Sequence, residues 1–172
     1  MEPSGNSVAA ILRVFQEHGV NAVVIGGVAA IAMGVPYTTL DVDLCYDTGA
    51  DNVPRLLDTL RAMNARLRVA RMTDDEARAL PFTLDAKTLS DNDVLTLRTD
   101  LGDLDLLRSI PGVGGYLAVQ QASVEADIFG VRFLVLDLPA LIINKRATAT
   151  PKDIATLPLI EATLRSRELE EP

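Results

Sequence analysis

A mixed β-sheet with helices packed on it, an α/β (α+β) architecture, follows from three features of this chain. Two segments carry an amphipathic helical stripe: Val8, Ile11, Leu12 and Phe15, and then Val53, Leu56, Leu57 and Leu60. Between them the short apolar run Ala22–Ile25 suits a strand buried on both faces. Finally, the order helix, strand, short helix, strand, helix, strand pair, helices matches a sheet covered by helices rather than a bundle or a sandwich.

Taken in order, the first helix starts at an Asn6 or Ser7 cap and stops at Gly19. After the strand at residues 22–25, Gly26-Gly27 turns the chain into a short helix of small residues, Val28 to Met33, ended by Gly34 and Pro36. Thr38 to Tyr46 reads as the next strand and Asp47-Thr48-Gly49 breaks it; Asp51 or Asn52 then caps the second amphipathic helix. Thr73-Asp74-Asp75-Glu76 is an acidic helix start, and Pro81 a stop. Val94–Arg98 and Leu104–Leu107 form a strand pair turned around Asp100–Gly102. Tyr116–Ala122 is a short helix, and Ala126–Phe129 and Val131–Leu136 are strands flanking Gly130. Helices over about 138–165 close a single domain spanning residues 1–172; Pro158 belongs at a first turn or a kink, and the charged tail from Arg165 frays.

Composition narrows the function. The 172 residues are 48% apolar but only 4% aromatic, so the core is aliphatic. A formal charge of −8 opposes broad binding to DNA. One cysteine, Cys45, and one histidine, His18, rule out a disulfide framework or a multi-histidine zinc site. Cys45 reads as a small buried hydrophobe and His18 as a polar group near a helix end. The first residues lack a secretory leader, and the apolar run to Pro36 is too short to cross a bilayer, so the expectation is a cytoplasmic protein away from membranes.

The chemistry centres on Asp41-Val42-Asp43. On a strand, residues i and i+2 share a face, so both carboxylates stand together while Val42 and Leu44 point to the core. Carboxylates that close raise each other's pKa, and a divalent cation with a taste for hard oxygen, such as Mg²⁺, relieves the conflict. Asp103-Leu104-Asp105 repeats the alternation; one of its two acids completes a three-carboxylate metal site, or both form a solvated strand face. Gly26-Gly27 between a strand and a helix brings backbone N–H groups near a phosphate, or serves close packing. Thr39 either bonds a phosphate oxygen or satisfies a strand end. The arginines 55, 61, 66, 68 and 71 form a locally basic stretch that suits an RNA acceptor or a solvated helix face; it lacks aromatics for base stacking.

In Gly26-Gly27, the short helix, Asp41-x-Asp43 and the later Asp105, the chain resembles the nucleotidyltransferase superfamily of polymerase-β-like fold. Gly34-Val35-Pro36-Tyr37-Thr38-Thr39-Leu40-Asp41-Val42-Asp43, with Leu141-Ile142-Ile143-Asn144-Lys145 and Pro151-Lys152-Asp153 near the end, is similar to bacterial abortive-infection and toxin-type members. The resemblance implies a metal-dependent transfer of a nucleoside monophosphate from an NTP to RNA or tRNA, a protein or a small molecule, and an antitoxin partner. It implies that Asp41, Asp43 and Asp105 hold Mg²⁺, with Asp105 orienting or deprotonating the acceptor. Gly26, Gly27 and Thr39 would seat the triphosphate, with Lys145, Lys152 and Asp153 in the same cleft. Two positions depart from the relatives: Tyr37 and Thr150 stand where they carry arginines. That departure implies a weaker hold on nucleotide, and the alternative of a nucleotide- or protein-binding module with little or no turnover.

Overall fold

A computed structural model describes residues 5–39 and 41–171. Leu40, inside the expected second strand, lies outside the described residues, as do Met1–Ser4 and Pro172.

The elements follow in chain order. Helix α1 (Gly5–Glu17) leads into strand β1 (Ala22–Ile25), helix α2 (Gly26–Ala32), strand β2 (Val42–Tyr46) and helix α3 (Asn52–Ala62). A two-residue strand β3 (Arg66–Leu67) and short helices α4 (Asp74–Arg78) and α5 (Ala86–Asp91) precede the hairpin β4 (Val94–Thr99) and β5 (Gly102–Leu107). Strands β6 (Ser109–Ile110) and β7 (Gly114–Gly115) pair only with each other. Helix α6 (Tyr116–Gln121), the hairpin β8 (Ser123–Ile128) and β9 (Val131–Leu136), and helices α7 (Leu138–Thr148) and α8 (Pro151–Glu170) complete the chain.

Seven strands make one mixed sheet in the order β3-β4-β5-β2-β1-β9-β8. Parallel pairing joins β2 to β5 and β1 to β9; the other neighbours are antiparallel. The register of β2 on β5 sets Asp43 directly opposite Asp105, and that of β1 on β2 sets Ile25 opposite Asp43. Val42, Leu44, Leu104 and Leu106, which alternate with the acids, are fully buried, as the pleat requires. Ile11, Leu12 and Phe15 of α1 and Leu56 and Leu60 of α3 join the same core.

The mixed α+β fold and most elements agree with the sequence reading, but α1 already runs from Gly5, ahead of the expected Asn6 or Ser7 cap, β8 spans Ser123–Ile128 rather than Ala126–Phe129, and further details differ. Helix α2 starts at Gly26 itself, at φ +65°, rather than at Val28. Strand β2 begins at Val42, so Thr38, Thr39 and Asp41 lie on the approach to it. The tail does not fray: α8 runs to Glu170, with Pro158 inside it, started by a capping box in which Thr150 and Asp153 satisfy each other's backbone N–H. Asn52 does not cap α3 with its side chain. It is buried and ties β1 to the β2–α3 turn, accepting from the Asn21 N–H at 2.7 Å and donating to the carbonyls of Asn21 and Asp47. Among the described residues no helix is long and apolar enough to cross a membrane.

Candidate active site

A cleft of about 320 Å³ opens where the middle of the sheet meets the start of α2 and the α7–α8 corner. From the sheet it is lined by Asp41, Asp43 and Asp105, from the α2 start by Gly26 and Gly27, and from the corner by Lys145, Lys152 and Asp153. The nine site residues that the resemblance implies, Thr39 included, therefore line one space, while Asp103, the other candidate third carboxylate, lies outside it.

The glycine pair is explained by close approach. A Cβ on Gly26 would lie 2.3 Å from Oδ2 of Asp43, and one on Gly27 would lie 2.8 Å from both Cβ of Thr39 and Cε1 of Tyr37. The positive φ of Gly26 adds a second reason for glycine there. No side-chain hydrogen bond caps the start of α2.

Asp43 carries the strongest electrostatic signature of the sheet. Burial pushes its carboxyl up to about 7, and Asp105 and Asp41 push the same way; Lys152 and Lys145 oppose them only in part. The conflict foreseen for paired acids is therefore present, and it involves the acid directly across the sheet even more than the sequence neighbour.

Sequence reading missed the group that answers this negative charge. Arg68, immediately after β3, reaches over β4 and places its guanidinium 3.0 Å from Asp105, 3.5 Å from Asp41 and 3.6 Å from Asp103. Asp103 pairs in register with Arg98 and also binds its Nε at 3.0 Å. Of the four acids, Asp43 makes no ion pair among the described residues. Nor is any group of three or more His, Cys, Asp or Glu side chains there gathered closely enough to hold a metal ion. The three acids share a cleft without forming a closed cage, and the Arg68 guanidinium bridges Asp41 and Asp105. No local signal marks Arg68 in the sequence. Its reach depends on the pairing of β3 with β4 and of β4 with β5.

The basic stretch divides between the surface and the fold. Arg55 donates to the Gly19 carbonyl, Arg61 to Asp58 and the Leu84 carbonyl, and Arg66 to Asp74 and Asp100. Arg55 and Arg61 thus stand exposed on α3, as a solvated helix face would have them, whereas Arg66 and Arg68 are half-buried and paired with acids.

In the α7–α8 corner, Lys145 and Asp153 are partnered with each other, and Asp153 also with two threonines. Lys145 donates to Asp153 at 2.7 Å, both side chains only 11% exposed. Thr148 and Thr150 donate to the other oxygen of Asp153. Burial alone would raise the Asp153 carboxyl, but the bonds from Lys145, Thr148 and Thr150 hold it well below the usual carboxylate range. Thr150, one of the two departures from the expected arginines, thus has a structural task as N-cap. The other, Tyr37, lies under the Lys152 ammonium, 5.9 Å from the ring centre.

A second cavity of about 840 Å³ adjoins the cleft, sharing Tyr37, Thr39, Asp41 and Lys152 and extending past Arg68 to Arg98, Asp100 and Asp103.

No family model matches the chain, and no curated protein matches it in sequence. Solved structures do. The lincomycin-bound lincosamide antibiotic adenylyltransferase LnuA aligns with TM-score 0.62 at 14% identity, over 95% of this chain and 99% of its own. ANT(2″)-Ia in complex with adenylyl-2″-tobramycin aligns with TM-score 0.60 at 16% identity, over 96% and 92%. The fold is therefore the nucleotidyltransferase fold, over nearly the whole of this chain.

Proposed function

We propose that this chain transfers a nucleoside monophosphate from an NTP to a hydroxyl-bearing acceptor, with pyrophosphate leaving. The observation that carries the reading is Asp43 set directly across from Asp105, with Asp41 beside them, in a cleft that also holds Lys145, Lys152 and a side-chain-free turn at Gly26-Gly27. The nucleotidyltransferase fold supports it.

By donor type the three acids suit a hard divalent cation, being carboxylate oxygens only, with burial, Asp105 and Asp41 pushing Asp43 up to about 7, although they would have to draw closer to hold one. The Arg68 guanidinium marks where positive charge is drawn. Asp41, Asp43 and Asp105 would hold Mg²⁺, which would supply charge neutralisation for the reacting phosphates. The chain's own residues have separate tasks. Asp105 orients the acceptor hydroxyl and takes its proton. Lys152 faces the triphosphate as a point charge, and the glycine turn leaves room for it. Lys145 contributes to the same field while fixed on Asp153, and Thr39 offers a hydroxyl to a phosphate oxygen. The adjoining cavity gives the acceptor a place next to Asp41. A small molecule is the favoured acceptor, since the names of both structural neighbours record small-molecule ligands or products.

A second reading, a binding module with little turnover, is favoured by Arg68 lying across the acids and by the absence of a gathered metal cluster among the described residues. Labelled NTPs incubated with the protein, Mg²⁺, small hydroxylated acceptors and total RNA separate the two. Transfer of label that vanishes in Asp43→Asn and Asp105→Asn supports the transferase. No transfer from any NTP, together with no calorimetric heat from Mg·NTP, establishes the module.

A further inference from the structure

We propose that Arg68 is a built-in competitor for the divalent cation: a positioning residue whose guanidinium holds Asp41, Asp103 and Asp105 together until the metal displaces it, and which thereby sets metal affinity. The inference rests on the reading of the cleft as a metal-dependent transferase site.

The geometry supplies the first argument. One fork spans three carboxylates at 3.0–3.6 Å, two of them assigned to the metal. A guanidinium and a divalent cation compete for the space between Asp41 and Asp105, because two positive charges that close repel and draw on the same two carboxylates. The way Arg68 is seated supplies the second. Its Nε is buried without a hydrogen-bond partner, and an orphaned buried donor costs free energy. The seat is thus imperfect, which suits a group that must leave. The backbone supplies the third. Arg68 N–H is fixed to the Thr96 carbonyl at 3.1 Å, so the side chain can swing while its root stays on the sheet edge. The adjoining cavity, which Arg68 itself lines, offers room for the displaced guanidinium beside Asp100.

Arg98 provides the internal contrast. It lines the same cavity and carries the same charge, but its recorded ion pair is with Asp103 alone, which is not among the acids assigned to the metal. Competition predicts that removing Arg68 tightens metal binding much more than removing Arg98. A mere change in local field predicts equal effects.

The test is Mn²⁺ binding by electron paramagnetic resonance on the full chain without nucleotide, alongside the Mg²⁺ half-saturation of transfer. Arg68→Gln is expected to bind Mn²⁺ roughly tenfold or more tightly than the parent, in proportion to one lost charge-assisted contact. Arg98→Gln should shift it far less. Arg68→Lys keeps the charge but not the fork, and should fall between parent and Arg68→Gln; should Arg68→Gln fail to fold, it carries the comparison. Half-saturating Mg²⁺ should drop in step with Mn²⁺ affinity. Equal affinities in the parent and the Arg68 variants, or an equal shift in Arg98→Gln, overturn the proposal. Adding Asp43→Asn distinguishes this from failure of the underlying reading. Mn²⁺ bound by Arg68→Gln but unaffected by Asp43→Asn lies outside the cleft, and then the metal assignment itself fails.

Discussion

Asp43 and Asp153 line one cleft, the first from the centre of the sheet and the second from the start of α8. Asp153 accepts from Lys145, Thr148 and Thr150 and from its own helix cap, and these bonds outweigh burial to keep it charged. Asp43 has no ion pair among the described residues, and burial, Asp105 and Asp41 push it toward neutrality. The difference separates scaffold from chemistry. On the function proposed above, Asp43 is the acid left for a cation that the chain does not itself supply.

The largest expected effect breaks the corner. Asp153→Ala strands a nearly buried lysine, and about 3 kcal/mol of stability should disappear in denaturant unfolding. A loss near zero would mean that the pair is as dispensable as a surface ion pair. Next comes activity at the sheet centre: Asp43→Asn should lower kcat by about 10²-fold or more while the protein stays folded by circular dichroism. If kcat survives, Asp43 is scaffold after all and the contrast dissolves.

The same variant sharpens the comparison through pH. The carboxyl of Asp43 sits at about 7 in the fold, above the 3.8 of a free aspartate, so ionising it opposes folding. This cost is absent below pH 3.8, grows as pH rises, and is complete above 7. Asp43→Asn should therefore stabilise the metal-free protein at pH 8, on the order of 2 kcal/mol once solvent screening is allowed for, and much less at pH 5. Asp153 carries the opposite sign: its pKa is depressed in the fold, so its stabilisation is present above the unfolded value and lost as pH falls below it. Thermal melts across pH 4–8 should show a gain in Asp43→Asn that grows with pH and a loss in Asp153→Ala that stays level, shrinking only below the 3.8 of a free aspartate. The smallest effect is at the helix cap, where Thr150→Ala should cost about 1 kcal/mol and leave the Mg²⁺ dependence of transfer unchanged.

Legibility from sequence followed the range of the interactions. Alternation in 41–43 and 103–105 announced acids on one strand face with leucines and valine behind them, because the pleat has period two and needs no tertiary knowledge. The glycine pair was visible, but its reason was not. Only coordinates show the Asp43 oxygen filling the place of a Gly26 side chain. The start of β2 was misplaced since Tyr37 and Thr39 pack over Gly27 instead of extending the ladder. Arg68 was illegible for a related reason. Its partners come from two distant segments, the approach to β2 and strand β5, and the pairing that brings Arg68 to them depends on a strand of two residues.

Tyr37 has a consequence for how binding can be watched. The chain has no tryptophan and three tyrosines. Tyr46 and Tyr116 are buried in the core, whereas Tyr37 lies in the cleft with an ammonium over its ring. Near-ultraviolet absorbance and emission of the unmodified protein therefore contain one chromophore placed to respond when Lys152 is drawn onto a phosphate. A titration with NTP can be followed optically with no label attached, and Tyr37→Phe supplies its blank.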